Sequence, residues 1–193
     1  TAVGYLSQYS SSDGYGNTSL GSQSLTHNTT GDENVAIGFY AMTNNEDGFD
    51  NTAVGVSALK NSISGADNTA VGKDAMLNNT ASFNTCVGSR SMYYNLSGYN
   101  NTALGAGSLL RNETGNSNTA IGYRALYMNL DARGNTAVGS SSLHDNSTGN
   151  WNTAVGDMAL LDNYSGYSNT ALGYQTMVTN YSGYHNTAVG CHA

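Results

Sequence analysis

The chain has 193 residues, a net charge of −7 and only 10% charged residues, against about 25% in ordinary domains. Six basic residues against 13 acidic ones offer little surface for neutralising a phosphate backbone, so no nucleic acid is expected as a partner. The chain contains no apolar run of about 18 residues, so no membrane insertion is expected. Three Phe and one Trp cannot fill a bulky globular core, which argues against most enzyme folds.

One pentapeptide, Asn-Thr-Ala-Val-Gly, recurs in variants along the whole chain. Successive copies are 17 residues apart, except for one interval of 16 in which the sequence predicts that a residue is lost just after Phe83. We therefore expect a single repeat array over residues 1–193, with about eleven 17-residue coils, that is a piece of a longer fibre. The copies end at Gly4, Gly21, Gly38, Gly55, Gly72, Gly88, Gly105, Gly122, Gly139, Gly156, Gly173 and Gly190.

Each copy of the pentapeptide predicts a short β-strand. In a strand, successive side chains point to opposite sides, so Thr52 and Val54 share one side while Asn51, Ala53 and Gly55 share the other. A second apolar step follows three and four residues after each glycine, for example at Ala58-Leu59 and Ala125-Leu126. This step predicts a second strand-sized segment in every period.

The rest of the period predicts turns. Asn commonly stands seven residues after the glycine and Gly ten residues after it, as at Asn112 and Gly115, and both residue types tolerate positive φ. A helical solenoid is disfavoured, because Asn, Thr, Gly and Val cost roughly 0.5 to 1 kcal/mol per residue relative to Ala in a helix. The sequence predicts an all-β fold, a parallel β-roll or β-solenoid that rises about 4.8 Å per coil.

The asparagine of the pentapeptide predicts a structural ladder. Stacked coils place identical residues above one another, where side-chain amides hydrogen-bond along the stack. A coil filled by one Val, Leu or Ile and one Leu or Met buries little apolar area, so we expect self-association into an intertwined homotrimer. The ladder residues are Asn17, Asn34, Asn51, Asn68, Asn84, Asn101, Asn118, Asn135, Asn152, Asn169 and Asn186.

The pattern N-T-A-x-G-x-x-A-L-x-x-N-x-x-G resembles the repeats of bacteriophage tail-fibre shafts over the whole chain. Asn34 to Gly38, Asn-Val-Ala-Ile-Gly, is similar to an element of the heads of trimeric autotransporter adhesins. Those heads are left-handed parallel β-rolls of three wound chains that serve as surface attachment or spacer segments. The resemblance implies a trimeric extracellular fibre with Val54, Val71, Leu104 and their equivalents inside each coil.

No residues in the sequence predict catalysis, a metal site or a cofactor. His27, His144, His185 and His192 stand at different positions of the repeat and lack metal-ligand spacing with Cys, Asp or Glu. A catalytic triad needs singular residues held in one place, which a regular array does not offer. Cys86 replaces the alanine of its copy, so we expect a small buried or half-buried residue.

Aromatic residues recur at the position eleven residues after the glycine, in turns that should face outward. Exposed rings are platforms for sugar faces, so Tyr15, Tyr99, Tyr167 and Tyr184 are candidates for contact with a cell-surface polysaccharide. Phe49 and Phe83 are assigned to the same position. The alternative is that these rings stack on neighbouring turns or contact other chains of the bundle.

Six Asn-x-Ser/Thr triplets share the turn position seven residues after the glycine, which makes a glycosylated edge of the rod an alternative. The same position also precedes Glu-Asp at Asn45 and Leu-Asp at Asn129, which suits a hydrogen-bonded turn and is no acceptor sequence. The candidate glycosylation sites are Asn28, Asn95, Asn112, Asn146, Asn163 and Asn180.

A third alternative is ice binding, which requires a flat, regular ladder of threonines on a solenoid. The threonines of the pentapeptide form such a column. If this column shares the valine side and the valines point into the coil, the threonines cannot meet ice. The column comprises Thr52, Thr69, Thr85, Thr102, Thr119, Thr136, Thr153, Thr170 and Thr187.

The sequence thus predicts a non-enzymatic structural segment of an extracellular, cell-surface or virion fibre, such as a tail fibre or an adhesin shaft. Its expected role is that of a stiff spacer with an attachment surface. Its expected partners are other copies of the chain, in a homotrimer or a filament, and cell-surface polysaccharide.

Overall fold

The computed structural model describes all 193 residues as a parallel β-solenoid of about eleven turns. Twelve short strands, one per coil, form a single parallel sheet along the rod, and two further strands, β6 and β8, form a small second sheet. The strands are β1 (Ala2–Val3), β2 (Thr18–Leu20), β3 (Val35–Ile37), β4 (Thr52–Val54), β5 (Thr69–Val71), β6 (Asn78–Asn79), β7 (Thr85–Val87), β8 (Tyr94–Asn95), β9 (Thr102–Leu104), β10 (Thr119–Ile121), β11 (Thr136–Val138), β12 (Thr153–Val155), β13 (Thr170–Leu172) and β14 (Thr187–Val189).

The strands of the large sheet pair in strict register, each residue opposite the residue at the same position of the next repeat. Thr119 lies opposite Thr136 and Ala120 opposite Ala137, and the same offset of 17 holds along the sheet except between β5 and β7. The prediction of an all-β parallel solenoid is confirmed. At about 4.8 Å per strand, twelve strands span roughly 53 Å.

The alternation of the strand residues is as predicted, but the valine side of the strand is the outer one. The middle alanine of each strand is buried, as at Ala53 and Ala103, while Val54 is half-buried and Leu104 is exposed. The placement of Val54, Val71, Leu104 and their equivalents inside each coil was therefore wrong. The asparagine before the strand is buried with the alanine, as at Asn51 and Ala53, whereas the glycine after the strand, Gly55, is half-buried.

The second apolar step supplies the larger part of the core but is not a strand. Leu59 is fully buried and has a φ of 50°, in the left-handed region, and Met76 and Leu126 repeat this conformation. Left-handed backbone costs roughly 1 to 2 kcal/mol per non-glycine residue. The Leu59 N–H nevertheless donates to the Ala75 carbonyl of the next coil (3.0 Å), so the hydrogen-bond ladder continues through this turn.

The regular β ladder after this turn lies two to three residues further on than the sequence predicted. β6 pairs with β8 there, with Asn79 opposite Asn95, and later coils continue as single bridges such as Arg111 to Met128. Positive φ also falls elsewhere than expected. It occurs at the pentapeptide glycines, as at Gly55 (φ 136°), and not at turn residues such as Asn112 or Gly115.

The predicted asparagine ladder is present, and it is buried from Asn17 to Asn169, while Asn186 at its end is exposed. The Asn118 side chain donates from Nδ2 to the Ala132 carbonyl (2.8 Å), and its Oδ1 accepts from the backbone N–H of Asn135 (3.0 Å). Asn118 also contacts the preceding residue of the ladder, since its Nδ2 lies 3.2 Å from Asn101 Oδ1. Each amide thus links neighbouring coils and satisfies a backbone group that faces the interior.

A second asparagine ladder, which the sequence presented only as turn chemistry, runs parallel to the first. Asn112 Nδ2 donates to Asn95 Oδ1 (2.6 Å) and to the carbonyl of Gly115 (2.7 Å). The same carbonyl accepts from Asn101 of the first ladder (2.9 Å). Two columns of amides therefore converge on one carbonyl in most coils, as at Gly115, and both columns are buried over most of their length.

The short coil loses its residue at a different place from the one predicted. Asn79 Nδ2 donates to the Ala81 carbonyl two residues on (2.7 Å), whereas Asn112 reaches the third residue, Gly115. The deletion therefore lies between Asn79 and Ala81 and not after Phe83. Phe83, eleven residues after Gly72, is therefore equivalent to residues that stand twelve after the glycine in other coils, such as Asn100 (φ 56°). Its own φ is 62°, and it is not part of the tyrosine column.

Ser62 interrupts the second ladder and leaves two buried polar atoms without partners, its own Oγ and Oδ1 of Asn45. We expect Ser62→Asn to raise the stability by about 1 to 3 kcal/mol, because the new amide would donate to Asn45 Oδ1 and to the Gly65 carbonyl. Chemical denaturation followed by circular dichroism measures the gain. Ser82→Asn, at a half-buried turn position, is the control, and a lower stability of the Ser62→Asn variant would contradict the ladder.

Candidate functional site

The outer side of the large sheet is the most regular surface of the molecule, and we call it the threonine face. It consists of the first and third side chains of the strands, with no charged residue among them. The first column is Thr18, Val35, Thr52, Thr69, Thr85, Thr102, Thr119, Thr136, Thr153, Thr170 and Thr187. The second column is Val3, Leu20, Ile37, Val54, Val71, Val87, Leu104, Ile121, Val138, Val155, Leu172 and Val189.

The threonine face exposes aliphatic side chains along its length. Leu20 is 48% exposed, Ile121 37% and Leu172 38%, although each is the last residue of a strand that is paired on both sides. Charged side chains border the face, for example Asp50 and Asp67, which precede the asparagine of their strands. A contiguous uncharged apolar surface with a polar rim is typical of an interaction site.

The orientation of this face removes the objection to ice binding that the sequence raised. Thr119 and Ile121 do share one side, as predicted, but that side faces the solvent. The threonine hydroxyls and methyls therefore form one outward column and the aliphatic side chains a second. Because strand spacing is about 4.8 Å, each column repeats at that interval.

The candidate glycan-contact tyrosines are exposed, with Tyr15 at 66%, Tyr99 at 48% and Tyr184 at 58%. Only two of them meet. The rings of Tyr167 and Tyr184 are stacked, with centroids 5.1 Å apart and planes 5° from parallel. Tyr99 lies four coils from Tyr167, about 19 Å along the rod. The column therefore provides one stacked pair and two separate rings.

The candidate glycosylation sites lie inside the coil in this structure. The side chains of Asn28, Asn95, Asn112, Asn146 and Asn163 are fully buried, and Asn180 is half-buried. Their Nδ2 atoms donate to ladder oxygens, for example Asn163 to Asn146 Oδ1 (2.8 Å). A glycan on Nδ2 would break these hydrogen bonds and would have to leave the interior. The asparagines of the Asn-x-Ser/Thr triplets at this position are thus the same residues that form the second ladder.

The histidines lie at four separate places, as their sequence positions indicated. His144 Nδ1 lies 2.9 Å from Asp145 Oδ1, and its ring stacks on Tyr127 with centroids 4.9 Å apart. His27 Nδ1 lies 2.9 Å from the Thr43 carbonyl oxygen. The structure contains no group of three or more His, Cys, Asp or Glu side chains that could hold a metal ion.

The two cysteines differ sharply in environment. Cys86 is fully buried in the alanine column of the core, and burial raises the pKa of its thiol to about 12. Cys191 is exposed and also free. Because the thiolate is the reactive form, Cys86 is a packing residue here, as the sequence predicted.

We expect one thiol per chain to react with a thiol reagent such as Ellman's reagent at pH 8, and two thiols in denaturant. The slow thiol is Cys86, since at a pKa of about 12 nearly all of it is protonated at that pH. Rapid reaction of both thiols in the native state would contradict this burial. Cys191→Ser is the control, and it should abolish the fast reaction.

The fold defines the protein as a parallel β-solenoid of 17-residue repeats. A comparison with known proteins finds no matching family model, no matching curated protein and no matching solved structure. No helix of the structure has the length and apolar character needed to cross a bilayer. The surfaces of this solenoid are therefore the features that indicate its function.

Proposed function

We propose that this chain is a non-enzymatic structural segment of an extracellular or virion fibre, such as a tail-fibre or adhesin shaft. Its role is that of a stiff spacer that also carries an attachment surface. The observation that carries the proposal is the unbroken register of the sheet, in which every coil pairs with the next from β1 to β14. In a solenoid, each coil contacts only its neighbours, so length is set by the number of repeats.

Three ladders support the stiffness of the rod, and only the second asparagine ladder is interrupted, at Ser62. The backbone ladder and the two asparagine ladders each connect successive coils, as in the bonds of Asn101 to Asn118 and of Asn95 to Asn112. Bending the rod would lengthen hydrogen bonds on several sides of the coil at once. Buried hydrogen bonds of this kind are costly to leave unmade, at about 1 to 3 kcal/mol per orphaned group.

The threonine face supports self-association, and a homotrimer is the assembly that we propose. The face is uncharged and runs the length of the rod, and eight of the twelve residues in its aliphatic column are 37% to 67% exposed, while the other four are half-buried. Full burial of such a side chain contributes about 1.5 to 3 kcal/mol relative to full exposure. Burying the remaining area over the whole column adds the apolar contribution that the narrow alanine-rich core lacks.

Paired isoleucine substitutions test this use of the face. Ile121 lies in the middle of the threonine face at 37% exposure, and Ile63 lies on a turn outside the sheet at 47% exposure. We expect Ile121→Lys to reduce the particle mass measured by light scattering to that of one 20.1 kDa chain, because three buried lysines would be unpaired. Ile63→Lys should keep the assembly.

Circular dichroism establishes that both lysine variants remain folded. Because both isoleucines are exposed in the single chain, their spectra should match that of the unsubstituted protein. An Ile121→Lys variant with the mass of the unsubstituted assembly would contradict self-association through the threonine face.

Ice binding is the second candidate function, and the outward orientation of the threonine column favours it. A flat, uncharged array of hydroxyls and methyls at regular intervals could hold ordered water against the sheet. This use needs the face to be free, so it requires a single-chain rod. A monomer that shows thermal hysteresis, lost in Ile121→Lys but kept in Ile63→Lys, would support it, and a monomer without hysteresis would exclude it.

A further inference from the structure

One place on the rod departs from the regular repeat by lacking a side chain. The position two residues after the pentapeptide glycine is occupied by a residue with a side chain in all the other coils, for example by Arg90 and Arg124. In the coil between these two, the position is Gly107. The gap opens a cleft of about 270 Å³ that is lined by Lys73, Arg90, Tyr123, Arg124 and Tyr127, among others. The cleft lies outside the threonine face.

The cleft gathers positive charge in a chain with few cations. Lys73, Arg90 and Arg124 are three of the six basic residues in a protein of net charge −7. One carboxylate approaches them, since Asp74 Oδ2 lies 3.9 Å from Arg90 Nε. The Arg90 side chain is still 64% exposed, so the cleft retains net positive charge and free guanidinium donors.

The Arg124 guanidinium is held in place by aromatic rings. Its central carbon lies 5.0 Å from the ring centroid of Tyr123 and 5.4 Å from that of Tyr127. Cation–π contacts of this kind fix the planar group and leave its edge donors available. The same two rings present an aromatic surface beside the positive charge.

We propose that the cleft around Gly107 binds an anionic saccharide unit, with its carboxylate or sulfate on Arg124 and Arg90 and its ring face on the tyrosines. Guanidinium groups bind carboxylate and sulfate oxygens through directed, charge-assisted hydrogen bonds. Aromatic rings pack against the apolar faces of sugars. This binding activity goes beyond the spacer role and does not depend on it.

The surrounding charge selects among anionic ligands. A nucleic acid places a negative charge at every nucleotide and needs a continuous basic track, but the rod outside the cleft is acidic overall. A saccharide chain with one acid group per sugar or per repeating unit can place a single anion in the cleft. The structure therefore favours an acidic polysaccharide over a nucleic acid.

Calorimetric titration with tetrasaccharide probes tests the proposal at low ionic strength. The probes are an oligogalacturonate, its carboxyl-reduced neutral counterpart and a sulfated carrageenan tetrasaccharide, with the tetranucleotide of thymidine as the nucleic-acid probe. We expect the carboxylated or the sulfated probe to bind at least about tenfold more tightly than the neutral one, as loss of one charge-assisted hydrogen bond implies. The two acidic probes distinguish carboxylate from sulfate recognition.

Three variants locate the binding in the cleft. Arg124→Gln removes the held guanidinium, and Gly107→Gln fills the gap with a side chain that the same position accepts at Gln23 and Gln175. Both should weaken binding of the acidic probe by about tenfold or more. Arg133→Gln, which removes an equal charge beside Trp151, should leave the affinity unchanged.

The outcomes that would overturn the proposal are distinct. They are equal affinity for the acidic and neutral probes, equal weakening by Arg133→Gln and Arg124→Gln, or tetranucleotide binding as tight as that of the acidic sugar. Absence of binding by all saccharides at millimolar concentration would also overturn it. Light scattering on each variant shows whether the assembly is intact, so failure of the spacer proposal is separable from failure of this one.

Discussion

Replacing Gly55 by Ala is expected to lower the free energy of unfolding by about 3 kcal/mol or more. Gly55 has a φ of 136°, which side chains rarely adopt, and an added Cβ would lie 2.5 Å from the Gly72 carbonyl oxygen. That oxygen belongs to the backbone of the next coil, so it cannot move without breaking the ladder. All twelve copies of the pentapeptide accordingly end in glycine.

Thermal unfolding followed by circular dichroism measures this effect. A loss of 3 kcal/mol corresponds to a fall in Tm of about 6 to 12 °C for a chain of this length. Gly107→Ala is the matched control, because its Cβ would lie 3.5 Å from Arg124 Cγ and 3.7 Å from Tyr127 Cε2, at ordinary contact distances. Equal losses in the two variants would contradict the close stacking of the pentapeptide glycines.

Asn118→Ala is expected to have an effect of similar size, about 3 kcal/mol, through the interior hydrogen bonds. The change leaves the buried N–H of Asn135 without its acceptor and removes the donor to the Ala132 carbonyl. Orphaned buried groups cost about 1 to 3 kcal/mol each. The Ala132 carbonyl keeps one partner, Asn129 Nδ2 at 3.0 Å, so the largest single contribution comes from Asn135.

Hydrogen exchange measured by mass spectrometry locates the damage. In Asn118→Ala, peptides that cover the coils on either side should lose protection first, because each amide connects neighbouring coils. Asn116→Ala is the control, since Asn116 is half-buried and takes part in the ladder only through its backbone carbonyl, which accepts from the Gly134 N–H (3.1 Å). Uniform exchange in both variants would show that the ladder contributes little.

The 17-residue repeat is sufficient to predict the fold class and the stacking of the coils. A constant period of 17 with one strand per period leaves parallel stacking in register as the arrangement that places like residues together, as at Thr119 and Thr136. The first asparagine ladder followed from the same reasoning. These features depend on periodicity, which a sequence displays directly.

The side of the strand that faces the core could not be read from alternation, because alternation fits two orientations. Hydrophobicity favoured the valines as interior residues, but the structure buries Ala53 and leaves Val54 half-exposed. A useful signal was side-chain size. The alanine column contains only Ala, Ser or Cys, as at Ala53, Ser19 and Cys86, whereas the neighbouring column varies among Val, Leu and Ile.

Local conformational propensity could not predict the conformation of the turn at the second apolar step. Leu59 and Met76 adopt positive φ, which is unfavourable for such residues in isolation. Their side chains are fully buried, and their N–H groups bond to the next coil. Tertiary contacts therefore override the local preference, and the deletion near Ala81 was misplaced because its position depends on this turn.

The candidate surfaces were predicted in part. The threonine column was visible in the sequence, but its exposure depended on the orientation of the strand. The cleft at Gly107 was not predicted, because Lys73, Arg90 and Arg124 come from three different coils. The sequence nevertheless indicated an irregularity at this place, since Gly107 stands at a position where all the other copies of the repeat have a residue with a side chain.

We propose that the threonine face is buried between copies of this chain, and the mass of the purified chain in solution tests this proposal most directly. Light scattering should give a particle of three times 20.1 kDa, with intact-mass spectrometry on the same sample showing unmodified chains. A particle of 20.1 kDa over a range of concentrations would contradict the claim, because the exposed face would then have no partner chain.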